Sequence, residues 1–274
     1  MPLVSPRPDR FFLVAGPCAV ESRAILEETA GTLVEVCREL ELPLVFKSSY
    51  RKANRTALSS FTGIGDEAAL ELLADAGRRF GVPTITDIHA DDDAALAARY
   101  VDALQIPAFL CRQTSLLLAA GATGKTVNIK KGQFLSPGAM RFAAEKVASA
   151  GGSEVWQTER GTTFGYSDLV VDFRGIPTMR AHGYPVVMDC THSLQQPNQS
   201  DGVTGGRPGL IETIARAAIA TGADGLFIET HPNPREALSD GANMLPLSRM
   251  RELLGRLVVL REAVARIDDL PANV

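Results

Sequence analysis

Lys47, Arg51, Lys52 and Arg55 fall, together with Asn54, inside the stretch FKSSYRKANRT, Phe46 to Thr56. They follow an apolar run, Leu42 to Phe46, of the kind a buried strand makes. Cations leaving the end of a buried strand are costly to desolvate unless they meet anions. The cluster therefore reads either as a solvated basic turn or as an anion site, and recurrence of the pattern favours the second. The ends of the later apolar runs carry Asp87, Gln105, Asn128 with Lys130, Glu159 with Arg160, Asp189 with His192, and Glu229 with His231. Lys47, Lys52, Lys130 and Arg160 in one mouth would suit a substrate, or a pair of substrates, carrying several negative charges. Arg forks match carboxylate and phosphate planes, and Lys supplies a point charge. One or two of the four are expected to pair with Asp87, Glu159 or Glu229.

A second constellation is Cys18, His192, Glu229 and Asp240. A thiolate, an imidazole and two carboxylates suit a borderline divalent ion such as Zn²⁺, Fe²⁺ or Mn²⁺. Their spacing carries no local signature. On spacing alone the plainer readings stand ahead: Cys18 as a small buried hydrophobe and His192 as a hydrogen-bonded loop histidine. GATGKT, Gly121 to Thr126, has the look of a phosphate loop, but it precedes a strand instead of joining strand to helix, so it reads as a turn. Asp91, Asp92 and Asp93 open a helix, where acidic residues favour the dipole. His89 and His182 have no evident partner in the sequence.

The elements that must position these residues alternate regularly. Strands are expected at Phe11 to Gly16, Leu42 to Phe46, Val82 to Ile88, Ala103 to Ile106, Thr126 to Lys130, Glu154 to Glu159, Tyr184 to Asp189 and Gly225 to Thr230. Helical periodicity follows most of them: Glu21 to Leu40, Asp66 to Phe80 with Asp66 as N-cap and Gly81 closing it, Ala90 to Tyr100, Arg112 to Ala120, Pro137 to Ala150, Pro208 to Thr221 and Pro246 to Ile267. Asp168 to Ala181 is less regular. Such alternation predicts a single (β/α)₈ barrel over residues 1–274, with a short polar tail at 1–10 and the chemistry at the C-terminal strand ends. An open doubly wound sheet would call for GxGxxG after the first strand, which is missing.

With 45% hydrophobic and 22% charged residues the composition is that of a soluble globular chain, and a net charge of −4 argues against a general nucleic-acid binder. No apolar run is long enough to cross a bilayer, so no membrane partner is expected. MPLVSPRPDR lacks the apolar core of a signal peptide. Cys18, Cys37, Cys111 and Cys190 are scattered without CxxC, which points to reduced thiols and a cytoplasmic chain.

AGPCAVES, FKSSYRKANR, TDIH, LQIPAFLCRQT, VNIKKGQFLSP, ERGTTFGY, DCTHSLQ and FIETHPNP stand in this order over nearly the whole chain. Together they resemble the 3-deoxy-D-manno-octulosonate 8-phosphate synthases. The resemblance implies a transferase of lipopolysaccharide biosynthesis, usually a homotetramer, that condenses phosphoenolpyruvate with arabinose 5-phosphate. It implies that Lys47, Lys52, Lys130 and Arg160 hold phosphoenolpyruvate. Asn54 and Arg55 would meet the sugar phosphate, Arg55 near a subunit boundary, and Asp87, Gln105, Pro107 and Phe109 would line the sugar site. Cys in GPCA resembles the metal-requiring class, with His192, Glu229 and Asp240 completing the site and His192 and Asp240 near the chemistry. Thr56 stands where that family usually has Ser, Tyr50 where Phe is common, and SFTGIG, Ser60 to Gly65, lacks an expected Arg. The related seven-carbon synthase, which uses erythrose 4-phosphate, usually reads Lys-Pro-Arg-Thr where this chain has Lys52-Ala53-Asn54-Arg55. A non-catalytic barrel that senses phosphoenolpyruvate is the rival of another kind. The loop Ser193 to Arg207, rich in Gly, Gln and Asn, is expected to move until substrate binds.

Overall fold

Short runs of Val, Ile, Leu and Phe, each too brief for a helix and bounded by turn residues, form eight parallel strands among the described residues. The computed structural model describes residues 3–4, 7–53, 60–164, 168–196 and 205–270. The strands are β1 (Phe12–Gly16), β2 (Leu44–Lys47), β3 (Thr84–Asp87), β4 (Ala103–Ile106), β5 (Thr126–Lys130), β6 (Glu154–Glu159), β7 (Val186–Asp189) and β8 (Gly225–His231). They pair in chain order, and β8 returns to β1 with Ala15 opposite Ile228, closing the (β/α)₈ barrel that the alternation predicts. The helices between them are α1 (Arg23–Glu39), α2 (Asp66–Phe80), α3 (Asp91–Ala97), α4 (Thr114–Ala122), α5 (Met140–Ser149), α6 (Gly175–Arg180), α7 (Ile211–Ala220) and α8 (Met250–Asp268).

Strands buried on both faces carry apolar side chains on both, and two cores result. The outer one packs Leu26, Leu33 and Val36 of α1, Leu70 and Leu73 of α2, and Leu254 and Leu257 of α8 against the outside of the barrel. The inner one stacks Phe12, Val14, Val45, Ile85, Trp156, Val187 and Phe227 within it. Phe12 and Trp156 meet with ring centroids 5.0 Å apart. Val4 joins this inner core, and the Leu3 amide donates to Glu154. The expected polar tail is thus partly a plug, because the lower end of the barrel would otherwise expose its aromatic floor. The filled lower half leaves the upper, C-terminal end of the strands for polar groups.

Several element ends differ from expectation for local reasons. Asp66 is the first residue of α2, not its cap. Gly65 precedes it, and the Asp66 carboxylate accepts from Arg51 at 2.7 Å. Gly81 does close α2, in the left-handed region at φ 65°. Pro137–Ala139, Pro208–Leu210 and Leu247–Arg249 are single 3₁₀ turns ahead of α5, α7 and α8, so these helices start later than the periodicity suggests. The irregular stretch after β6 holds the two-residue pair Thr162–Thr163 with Leu169–Val170 and then α6. Of the loop after β7, Gln195–Gln196 pairs antiparallel with Gly205–Gly206; residues 197–204 lie outside the described residues. No helix among the described residues is long and apolar enough to cross a membrane.

Candidate active site

The polar strand ends converge. Lys47, Lys52, Lys130, Arg160, His192, Glu229, Asp240, Asp87, Gln105, Pro107 and Phe109 all line one pocket at the C-terminal end of the barrel. Cys18 lies buried behind it. Asn54 and Arg55 lie outside the described residues. Gly16 lets the loop carrying Cys18 pass over β2, because a Cβ at that position would sit 2.0 Å from the Lys47 carbonyl oxygen.

More of the cations are paired than expected. Lys47 Nζ donates to Glu229 Oε1 at 2.7 Å and to the Cys18 carbonyl at 3.0 Å, and lies 3.6 Å from Asp87 Oδ2. Burial works against its charge, but Glu229 and Asp87 outweigh burial and raise its pKa. Lys130 Nζ donates to Asp189 Oδ2 at 2.8 Å and sits 3.7 Å from the centroid of the Phe227 ring. Lys52 Nζ lies 3.1 Å from both Asp240 Oδ2 and Cys18 Sγ. All three lysines therefore have a carboxylate, two of them from residues outside the expected partners. Arg160 alone is left over. Its Nη2 donates to Gln195 Oε1 at 3.0 Å, while Nε and Nη1 are buried with no hydrogen-bond partner among the described residues. Burial lowers its pKa, the signature of a cation short of an anion.

Cys18 Sγ and carboxylate oxygens of Glu229 and Asp240 lie within 4.8 Å of one another. His192 Nε2 is 3.5 Å from Glu229 Oε2, an oxygen that is buried without a hydrogen-bond partner among the described residues. The other imidazole nitrogen, Nδ1, lies 2.9 Å from Asp189 Oδ2, which orients the ring. Burial and the Glu229 carboxylate push the Cys18 thiol well up, although Lys52 pulls the other way. Asp240 is held low chiefly by Lys52. It takes a positive φ of 50°, a conformation that the short Asp side chain tolerates. A donor set of this kind around an orphaned buried carboxylate oxygen fits a divalent cation.

Opposite this group the Asp87 carboxylate accepts from Gln105 Nε2 at 2.5 Å and from the Ser49 hydroxyl. Burial acts to raise its pKa, but Lys47 and Lys130 hold it far below the usual carboxylate range. Phe109 is 46% exposed at the rim. Sequence reasoning missed Ser49, Gln195 and His89, which also line the pocket. His89 follows β3 by two residues, so its place beyond a strand end was the available signal. His182 lies away from the mouth, with Nδ1 3.0 Å from Gln157 Oε1. Lys131 was missed as well. Its ammonium, on the side of the chain opposite to Lys130, is fully buried and donates to the Leu135 and Gly161 carbonyls at 3.2 Å. It also lies 3.3 Å from Glu159 Oε1, which accepts from the Arg160 and Gly161 amides.

The sequence model of the DAHP synthetase I family matches residues 5–265. A protein of Granulibacter bethesdensis named 2-dehydro-3-deoxyphosphooctonate aldolase is 53% identical over 247 residues, 90% of this chain and 88% of that relative. Relatives of the same name from Rhizobium meliloti and Trichlorobacter lovleyi are 52% and 50% identical, over 94% and 93% of this chain and 92% and 93% of theirs.

Proposed function

This chain belongs to the DAHP synthetase I family, and on that premise we propose that it condenses phosphoenolpyruvate with D-arabinose 5-phosphate and water, giving 3-deoxy-D-manno-octulosonate 8-phosphate and phosphate. The observation that carries the reading is the buried, under-bonded Arg160 guanidinium in a mouth that also holds Lys47, Lys52 and Lys130. The relatives' shared name selects the eight-carbon product over the seven-carbon one.

In this reading Arg160 forks onto the carboxylate or phosphate of phosphoenolpyruvate, and Lys47, Lys52 and Lys130 complete the clamp. The enol carbon attacks the sugar aldehyde, positive charge builds at the neighbouring carbon, and water traps it before phosphate departs. The clamp holds together two anions that otherwise repel, which is orientation and electrostatics combined. Asp87 and Gln105 receive sugar hydroxyls at the walls, Pro107 and Phe109 shape the rim, and Asn54 and Arg55 meet the sugar phosphate. Cys18, His192, Glu229 and Asp240 would hold Zn²⁺, Fe²⁺ or Mn²⁺. Such an ion supplies Lewis-acid polarisation or an acidified water. Charge balance supports this reading: the three mouth lysines already pair with Asp87, Asp189, Glu229 and Asp240, which leaves Arg160 as the unpaired cation among the described residues. A divalent cation held by Cys18, His192, Glu229 and Asp240 would add to the positive charge that Arg160 and Arg55 offer two phosphorylated reactants. We further place the enzyme in the cytoplasm, within lipopolysaccharide biosynthesis, as a homotetramer with Arg55 near a subunit boundary.

Phosphate release from phosphoenolpyruvate, with arabinose 5-phosphate or erythrose 4-phosphate, tests the reading before and after chelation. Turnover with the five-carbon sugar only, lost to chelator and restored by Mn²⁺ or Zn²⁺, is expected. Turnover with erythrose 4-phosphate alone overturns the substrate, activity after verified metal removal overturns the metal, and binding of phosphoenolpyruvate without turnover makes the chain a sensor.

A further inference from the structure

A chain of hydrogen bonds runs from the sugar wall into the closed interior of the barrel. Gln105 Nε2 donates to Asp87 Oδ1 at 2.5 Å, Asn128 Nδ2 donates to Gln105 Oε1 at 2.9 Å, and Thr158 Oγ1 donates to Asn128 Oδ1 at 2.6 Å. Asp87, Gln105 and Asn128 are direct register partners across β3, β4 and β5. Gln105, Asn128 and Thr158 are all buried, and only Asp87 and Gln105 reach the pocket.

The direction of this chain is fixed from the Asp87 end. The Asp87 carboxylate can only accept, so Gln105 must turn its NH₂ toward it and its carbonyl away. Asn128 must then offer its own NH₂ to that carbonyl, and Thr158 must supply the last donor. Water cannot reach the interior groups to substitute for a wrong orientation, so a misdirected member costs a buried unpaired or repulsive contact. With Ser49 and Lys47 on Oδ2 and Gln105 on Oδ1, one accepting direction is left open, among the described residues, on Asp87, which lines the pocket.

We propose that Asn128 and Thr158 are positioning residues for sugar selection: through Gln105 they fix the face of Asp87 that accepts a hydroxyl of the aldose phosphate. The inference rests on the proposed condensation, because it assigns the Asp87 side of the pocket to the sugar. Phosphoenolpyruvate is placed at the lysines and Arg160; of these Lys47 meets Asp87 only at Oδ2, whereas the Gln105 chain acts on Oδ1. The selectivity is a matter of direction: a rotated Gln105 amide would set its carbonyl oxygen against the Asp87 carboxylate and withdraw the wall from the sugar.

The variants Asn128→Asp, Thr158→Val and Thr158→Ser, loaded with Mn²⁺ beside the wild type, test this by separate KM values for the two substrates. Asn128→Asp has no N–H for Gln105, so KM for arabinose 5-phosphate should rise about tenfold or more while KM for phosphoenolpyruvate stays within about twofold. Thr158→Val should shift the same constant in the same direction by a smaller factor, and Thr158→Ser, which keeps the hydroxyl, should restore it. If Asn128→Asp does not fold, the Val and Ser pair decides alone. Both KM values rising together, or Ser behaving like Val, marks a structural role only and overturns the inference while leaving the condensation in place. A wild type that releases no phosphate from the two substrates sinks the condensation and this inference with it.

Discussion

Arg160 combines a cost to the fold with a use in the reaction. A guanidinium buried with two nitrogens that lack partners among the described residues lowers the stability of the substrate-free protein. Arg160→Met should therefore raise the urea midpoint of the substrate-free protein, by a stabilisation of about 1 kcal/mol. The same variant should lose roughly 10²-fold or more in kcat/KM for phosphoenolpyruvate, since a bidentate charge-assisted contact disappears. A midpoint that falls would mean that Arg160 is already satisfied without substrate, and the anion site would have to be sought elsewhere. That Arg160 stands at a strand end was legible in ERGTTFGY; that it alone of the four cations has no carboxylate among the described residues was not. The partners that set it apart are remote in sequence: Lys130 finds Asp189 59 residues away, and Lys52 finds Asp240 188 residues away. Lys130 and Lys131 make the same point at closest range. Adjacent residues on an extended chain face opposite ways, so one lysine enters the mouth and the other ties the loop after β5 to the loop after β6.

Element ends do the positioning, and α3 is a clear instance. Its Asp93 carboxylate accepts from the His89 and Ala90 amides at 2.9 and 3.0 Å, and its two oxygens share one Arg51 nitrogen, Nη2, at 2.8 and 2.9 Å, while Arg51 Nη1 donates to Asp66. These contacts tie the loop after β2 to the loop after β3, on the side of the pocket where His89 sits. Burial acts to raise the Asp93 pKa, but the His89 amide and Arg51 outweigh it and the net shift is downward. A depressed carboxylate contributes stability that is full above its unfolded pKa and is lost as pH falls through the folded one. Asp93→Ala should therefore cost about 2 kcal/mol in urea unfolding near neutral pH, and the gap from wild type should narrow below about pH 4. A gap that is constant with pH would show that packing, and not the ionised cap, is what the variant removes. The sequence placed β4, β5 and β6 with their observed bounds because each is a short, mostly apolar or β-prone run set off by polar or turn residues. It missed α6 and the Thr162–Thr163 pair because elements of six and two residues are too short to display a period. The 3₁₀ turns ahead of α5 and α7 begin at a proline that is equally compatible with a helix start, so the boundary was ambiguous by a turn.

At the scale of the molecule, the apolar surface is unevenly placed. Phe109, Phe134, Phe142 and Phe164 are 46%, 59%, 55% and 82% exposed, all on the segments between β4 and the loop after β6. Single exposed hydrophobes are ordinary, but several large aromatic rings on neighbouring segments suit a surface that another chain would cover. The same sector adjoins the pocket rim through Phe109, so a neighbouring subunit seated there would stand beside the mouth. This placement is what supports the proposed homotetramer, and assembly would be coupled to turnover if Arg55 acts near that boundary. Sedimentation equilibrium should give a mass near four chains of 29.3 kDa each. Phe134→Asp with Phe142→Asp should shift it to smaller species, since a charge on each side of a desolvated contact has no partner. Activity per chain should fall with it, and should fall for the wild type on dilution past the point where the assembly dissociates. A stable single chain with all four rings in place and undiminished turnover would separate the site from assembly altogether. The exposed phenylalanines would then need another occupant, and the mouth would have to bind both phosphorylated reactants with residues of one subunit.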